Sequence, residues 1–165
     1  MRFHYQNDYD KLSVDCPPKS YTPKRMKAFR WVFEDIKDGR NFQSQYEKHT
    51  KQPKPPKRYN DMSDAHKCDN MALSMFNSLE NARKRFFFLK NEQPQPMNNN
   101  AYRFLGTHIA EGEIDEEDGV NQEPDRKGHF NHHPVENFDY TIKFNNINRS
   151  YNEKNKRYIH KTFRF

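Results

Sequence analysis

Apolar residues fall in a few short runs separated by long polar stretches. The first dense run is "AFRWVFEDI", residues 28–36. Strict alternation there puts Phe29, Trp31 and Phe33 on one side and Arg30 and Val32 on the other. A period of two predicts a strand, and Gly39 closes the unit. "NFQSQYEKH", 41–49, fits a short helix or a turn. "TKQPKPPKRYND", 50–61, holds three prolines; proline lacks the amide that helices and central strands need, so an extended connector is predicted.

The period changes inside "ALSMFNSLENARKRFFFL", 72–89. Leu73 and Met75 alternate with Ala72, Ser74 and Phe76, which predicts a short strand with apolar residues on both faces. Asn77 or Ser78 is placed to cap the free amides of a following helix. Leu79, Ala82, Phe86 and Leu89 then recur at helical spacing, giving an amphipathic helix over 79–90. Arg83, Lys84 and Lys90 lie off that stripe, and Lys90 suits the negative end of the helix dipole.

Downstream, "YRFLGTHIAEGEI", 102–114, reads as a second major strand or a bulged pair, with Gly106 and Gly112 marking bulges or close backbone approach. "DEEDGVNQEPDRKGHF", 115–130, reads as a loop, with a turn at Asp118-Gly119. "NFDYTIKFNNI", 137–147, contains a final strand. The resulting expectation is an α+β fold: a single compact domain with a mostly antiparallel or split sheet and one main helix. Its divisions are an irregular N-terminal arm (1–25), a core (26–147) and a basic aromatic tail (148–165).

Composition tests whether such a chain folds at all. Leu, Ile, Val and Phe make only 29 of 165 residues, a share typical of disordered chains. Aromatic residues, however, make 15% and the net charge is only +6. Each buried aromatic removes about 150–250 Å² from water, so a small aromatic core is expected. Two cysteines, Cys16 and Cys68, form no disulfide framework or CxxC, so a reducing, cytoplasmic setting is the expectation. No signal peptide and no apolar run near the ~18 residues of a membrane span is visible, so no membrane partner is expected.

Charge is uneven. Residues 17–60 carry twelve Lys or Arg against four acids, whereas 111–125 carry eight acids and no base. Basic segments interleaved with Tyr, Phe and His form the pattern of a polyanion-binding surface. Lys24, Arg25, Lys54, Lys57, Arg58, Lys154, Lys156 and Arg157 are its candidate contacts with nucleic acid or with a protein or nucleoprotein partner. Solvated surface with internal charge pairing accounts for the same pattern.

Catalytic signatures are sparse. "GHFNHH" offers His129, His132 and His133, but no HExxH, finger or deaminase spacing accompanies them; a loop cluster without metal is expected. Ser74 has no GxSxG around it, and neither GxxxxGK[ST] nor GxGxxG occurs. Glu111 and Glu113, two apart on a strand, share a face. Such a pair suits acid–base work or stabilisation of an oxocarbenium ion; a polar strand end entering an acidic loop is the simpler account.

The series "FRWV … ALSMFNSLENA … LGTHIAEGEI … GHF" over 29–147 resembles a type of small bacterial protein with no assigned activity. Arg30 on the first core strand, Ser74 on a strand leading into a helix, and the later Glu111-x-Glu113 also resemble the R-S-E class of mono-ADP-ribosyltransferases. The serine strand here reads "LSM" where that class has S-T-S. The resemblance implies that Arg30 grips the pyrophosphate of NAD, Ser74 positions the site, and Glu113, with Glu111, serves catalysis. It implies NAD as cofactor and mono-ADP-ribosyltransferase or NAD glycohydrolase activity, as in a bacterial or phage toxin or a defence or counter-defence factor. Two expectations therefore stand: an NAD-using enzyme if Arg30, Ser74 and Glu113 converge, or a non-enzymatic module if basic surfaces dominate. The sequence does not set the oligomeric state.

Overall fold

A computed structural model describes residues 1–51 and 57–149. Six strands form one sheet: β1 Met26–Val32, β2 Leu73–Phe76, β3 His108–Ile114, β4 Gly119–Asn121, β5 His129–Pro134 and β6 Phe144–Arg149. Their order is β4-β5-β2-β1-β3-β6, and every neighbouring pair is antiparallel. The helices are α1 Gln6–Tyr9, α2 Gln45–Thr50, α3 Lys57–Asn60, α4 Asp64–Met71, α5 Leu79–Phe87, α6 Asn100–Leu105 and α7 Tyr140–Lys143. The chain is an α+β domain.

Alternation on β1 sorts the core into two layers. Ala28 and Val32 join Leu73, Met75, Ala110, Ile114, Phe130, Tyr140 and Phe144 on one face, with Phe42 and Phe138 packed against them. Phe42 stacks on Tyr140 with ring centroids 4.8 Å apart. Phe29, Phe76, Ile109 and Trp31 lie on the other face, under Leu79 and Ala82 of α5. Ser78 caps α5, accepting from the Asn81 amide at 3.2 Å. Ala82 and Phe86 are fully buried, so truncating Phe86 to alanine would cost roughly 3–5 kcal/mol. The Trp31 indole fixes the helix further by donating to the Ala82 carbonyl at 3.0 Å. After α5 the chain widens into a π-helical turn, Phe88–Glu92.

Both flagged glycines do what was expected of them. Gly106 has φ +91°, and a Cβ there would lie 2.1 Å from the Val32 carbonyl oxygen. Gly112 sits at a shift in the β3–β6 register, where a Cβ would meet the Lys143 carbonyl oxygen at 2.7 Å.

Four expectations need correction. Residues 100–105 are helical, and the strand starts only at His108; Gly106 separates the two. The loop expected over 115–130 contains β4 and the start of β5, so the histidine cluster is on a strand. Of the connector expected over 50–61, Thr50 closes α2 and 57–60 form α3, while 52–56 lie outside the described residues. α4 falls on residues for which the sequence predicts no element; it is capped by the Ser63 hydroxyl, which accepts from the His66 amide at 3.4 Å. Finally, Cys16 and Cys68 are joined in a disulfide 52 residues apart in sequence. It ties the N-terminal arm to α4 and removes the ground for expecting a reducing compartment. Among the described residues no helix is long and apolar enough to cross a membrane.

Candidate functional site

A strongly basic concave surface lies along α5. A groove of about 350 Å³ is lined by Asn81, Lys84, Arg85, Phe87, Phe88, Glu92, Arg126 and Lys127. Four cations thus face one carboxylate. Burial of Ala82, Phe86 and Phe87 against the sheet turns Lys84 and Phe88 outward. The Arg85 guanidinium lies over the Phe88 ring, 5.1 Å from its centroid, and Phe88 is 37% exposed. Lys84 is paired with Glu80 at 2.6 Å along the helix, an exposed contact that a polyanion can displace at small cost.

The opposite wall is a turn built by Asp125. Its Oδ1 accepts from the amides of Lys127 at 2.8 Å and His129 at 2.9 Å. These bonds hold the Asp125 carboxyl below its ordinary pKa against the opposing effect of burial. Gly128, with φ +72°, lets the turn close on α5; a Cβ there would lie 2.2 Å from Asn77 Oδ1 and from Asn81 Nδ2. The Asn77 amide completes the junction by donating to the Gly128 carbonyl at 2.8 Å. Arg126 and Lys127 therefore project from a braced turn beside Lys84 and Arg85.

Next to this wall, the exposed Ser74 hydroxyl lies 2.5 Å from Nε2 of His129. Burial pushes the His129 pKa down, with Arg85 adding to the effect and Asp125 opposing it. The neutral imidazole therefore predominates at neutral pH. Among the described residues no carboxylate hydrogen-bonds the His129 ring.

Of the residues expected to bind NAD, Arg30 and Ser74 line one small pocket, but Glu111 and Glu113 do not join them there. Arg30 lies on the Ala28/Val32 face of β1, whereas Ser74, Glu111 and Glu113 share the face of Phe29 and Trp31. The Arg30 guanidinium is occupied by three backbone carbonyls, those of Asn41 at 2.8 Å, Ser74 at 2.7 Å and Gln43 at 3.0 Å. Burial lowers its pKa to about 10, still well above neutrality. β2 and β3 flank β1 on opposite sides, which separates them by about 10 Å. The registers Phe29↔Phe76 and Lys27↔Glu113 put Glu113 four residues further along than Ser74, about 13 Å. Ser74 and Glu113 are therefore roughly 16 Å apart. The two glutamates do share a face, but as ion pairs: Lys27 reaches Glu111 at 3.3 Å and Arg25 reaches Glu113 at 3.2 Å.

The basic residues expected to form the polyanion surface are also partly consumed. Lys24 pairs with Glu123 at 3.0 Å, and Arg25 with Asp115 at 2.7 Å. Lys54, Lys154, Lys156 and Arg157 lie outside the described residues, as do the side chains of Lys57 and Arg58. Of the three histidines, His132 and His133 are fully buried. Burial lowers their pKa values to about 3 and about 4.

Lys84 was already visible as an off-stripe position, but Arg85, Phe88, Arg126 and Lys127 carried little signal in the sequence. What could have found them is the D-R-K-G run, an Asx turn presenting two adjacent cations. No family model, curated protein or solved structure matches the chain.

Proposed function

We propose that the protein is a non-enzymatic module that binds a single-stranded nucleic acid in the groove between α5 and the Asp125–Gly128 turn. The observation that carries this reading is the braced array of Lys84, Arg85, Arg126 and Lys127 around the exposed Phe88 ring. The cations neutralise phosphates along a strand, and the ring offers a face for base stacking. Glu92 also lines the groove and disfavours a phosphate beside it. Glu111 and Glu113 lie on β3, across β1 from β2, and are paired with Lys27 and Arg25, which limits their repulsion of a bound strand.

The test is fluorescence anisotropy with a labelled single-stranded oligonucleotide over a salt series. Four phosphate contacts predict a slope of log K against log salt near −2.8, at about −0.7 per contact on single strands. Arg126→Ala/Lys127→Ala should flatten the slope by about 1.4. Phe88→Ala should weaken binding by roughly 1–3 kcal/mol without changing the slope. Salt-independent binding, or a slope unchanged in the double variant, would refute the reading.

A further inference from the structure

Three potential ligands from distant parts of the chain meet behind β5. Cys16 comes from the N-terminal arm, Cys68 from α4 and His133 from β5. One donor atom of each lies within 4.8 Å of the other two. Nδ1 of His133 is 2.8 Å from the Tyr9 hydroxyl. Its other nitrogen, Nε2, is buried without a hydrogen-bond partner among the described residues, and the whole residue is fully buried. An orphaned polar atom of this kind costs about 1–3 kcal/mol. With the sulfurs joined to each other, nothing in the disulfide form relieves that cost.

We propose that, when Cys16 and Cys68 are reduced, Cys16 Sγ, Cys68 Sγ and His133 Nε2 form a three-ligand site for a thiophilic divalent cation, zinc above all. Two thiolates and an imidazole are the donors that zinc takes, at about 2.3 Å to sulfur and 2.0–2.1 Å to nitrogen. A tetrahedral ion needs the two sulfurs about 3.8 Å apart, a separation that the side chains reach within the existing cluster. Tyr9 supplies the supporting contact: with Nδ1–H donating to its oxygen, the Nε2 lone pair points at the ion. Cys16 is only half-buried, which leaves a solvent path for a fourth ligand such as water.

The chemistry balances without further partners. Two equivalents of a cellular thiol reduce the disulfide, passing two electrons and two protons to the sulfurs and ending joined as their own disulfide. The dithiol then gives up two protons to solvent as the cation binds, because thiolates are the ligands. Disulfide and metal are therefore mutually exclusive states of one site, and the arm stays anchored in both.

The test uses the full chain, reduced with a phosphine, freed of reductant under nitrogen and titrated with Co²⁺ alone. One equivalent should bind, with thiolate-to-cobalt charge transfer in the near ultraviolet and tetrahedral bands in the visible, and Zn²⁺ should displace it. The disulfide form should take up none. Cys16→Ser and His133→Ala should each weaken Co²⁺ binding at least tenfold. Absence of binding by reduced, folded protein overturns the proposal. So does equal binding by Cys16→Ser, which decides the matter alone if His133→Ala does not fold.

Discussion

Replacing Arg30 with methionine is the sharpest probe of how this sheet holds its first crossover loop. The side chain keeps its apolar stem but loses all three bonds, to the carbonyls of Asn41, Ser74 and Gln43. Hydrogen bonds from a charged group contribute about 1.5–3 kcal/mol each, so the gross loss is about 4.5–9 kcal/mol. Against that, burying the guanidinium has its own cost. The fall in its pKa from 12.5 to about 10 corresponds to roughly 3 kcal/mol at 1.36 kcal/mol per unit. The difference leaves a net loss of about 3 kcal/mol, since the methionine no longer bears the burial cost but strands the carbonyls. For a chain of this size that lowers Tm by about 6–12 °C. Urea unfolding followed by Trp31 fluorescence measures it directly, and Arg30→Lys should recover only part of the loss because an ammonium cannot span three divergent acceptors. Wild-type stability within about 0.5 kcal/mol in Arg30→Met would mean that the guanidinium is not committed to the backbone. The case against Arg30 as an anion-gripping residue would then fall with it.

Two other outcomes follow from neighbouring features. Burial and the nearby Arg30 charge lower the pKa of Lys48 to about 8, so between that value and its ordinary one the unfolded chain binds more protons than the folded one. Stability therefore rises with pH from about 8 to 10.5, by about 1 kcal/mol given its partial exposure; Lys48→Met should remove this contribution, and a variant profile identical to the wild type's would contradict the assignment. Gly112→Ala forces a methyl against the Lys143 carbonyl and the Phe144 ring at under 3 Å. Overpacking there should cost about 1–3 kcal/mol in chemical denaturation, whereas Gly39→Ala, with open space around it, should cost far less.

Much of the fold was legible because burial writes its period into the chain. The alternation of Phe29, Trp31 and Val32 and the stripe of Ala82 and Phe86 each have a single geometric solution, and the structure adopts both. The helix at 100–105 was not legible, because "AYRFL" is too short to show a period and only Gly106, with its left-handed φ, marks where it stops. β4 was hidden for a different reason. Its three residues Gly119–Asn121 are held mainly by cross-strand pairing, which leaves no pattern in local sequence. The candidate groove was half legible: Lys84 stood off the helical stripe, but its partners Arg126 and Lys127 arrive through the Asp125 turn, a tertiary event. Arg30 misled because a guanidinium serves a phosphate and a set of carbonyls equally well, and only the three acceptors around it distinguish the two.

The N-terminal arm has a consequence for how the chain reaches this structure. Phe3 bridges to Val135, Thr22 bridges to Asn121, and the Tyr9 hydroxyl meets His133 across 124 positions. Each of these contacts is made with residues synthesised about 100 to 130 positions later. At roughly 5–20 residues per second on the ribosome, the arm waits about 6–25 s for β5 to emerge. These contacts with β4 and β5 therefore form only after those strands emerge, whereas the arm's contacts with Ser44, Asp64 and Cys68 can form earlier. Such long-range closure predicts slow folding for the chain's size, with an interval in which Cys16 stands apart from Cys68 and is open to thiol chemistry.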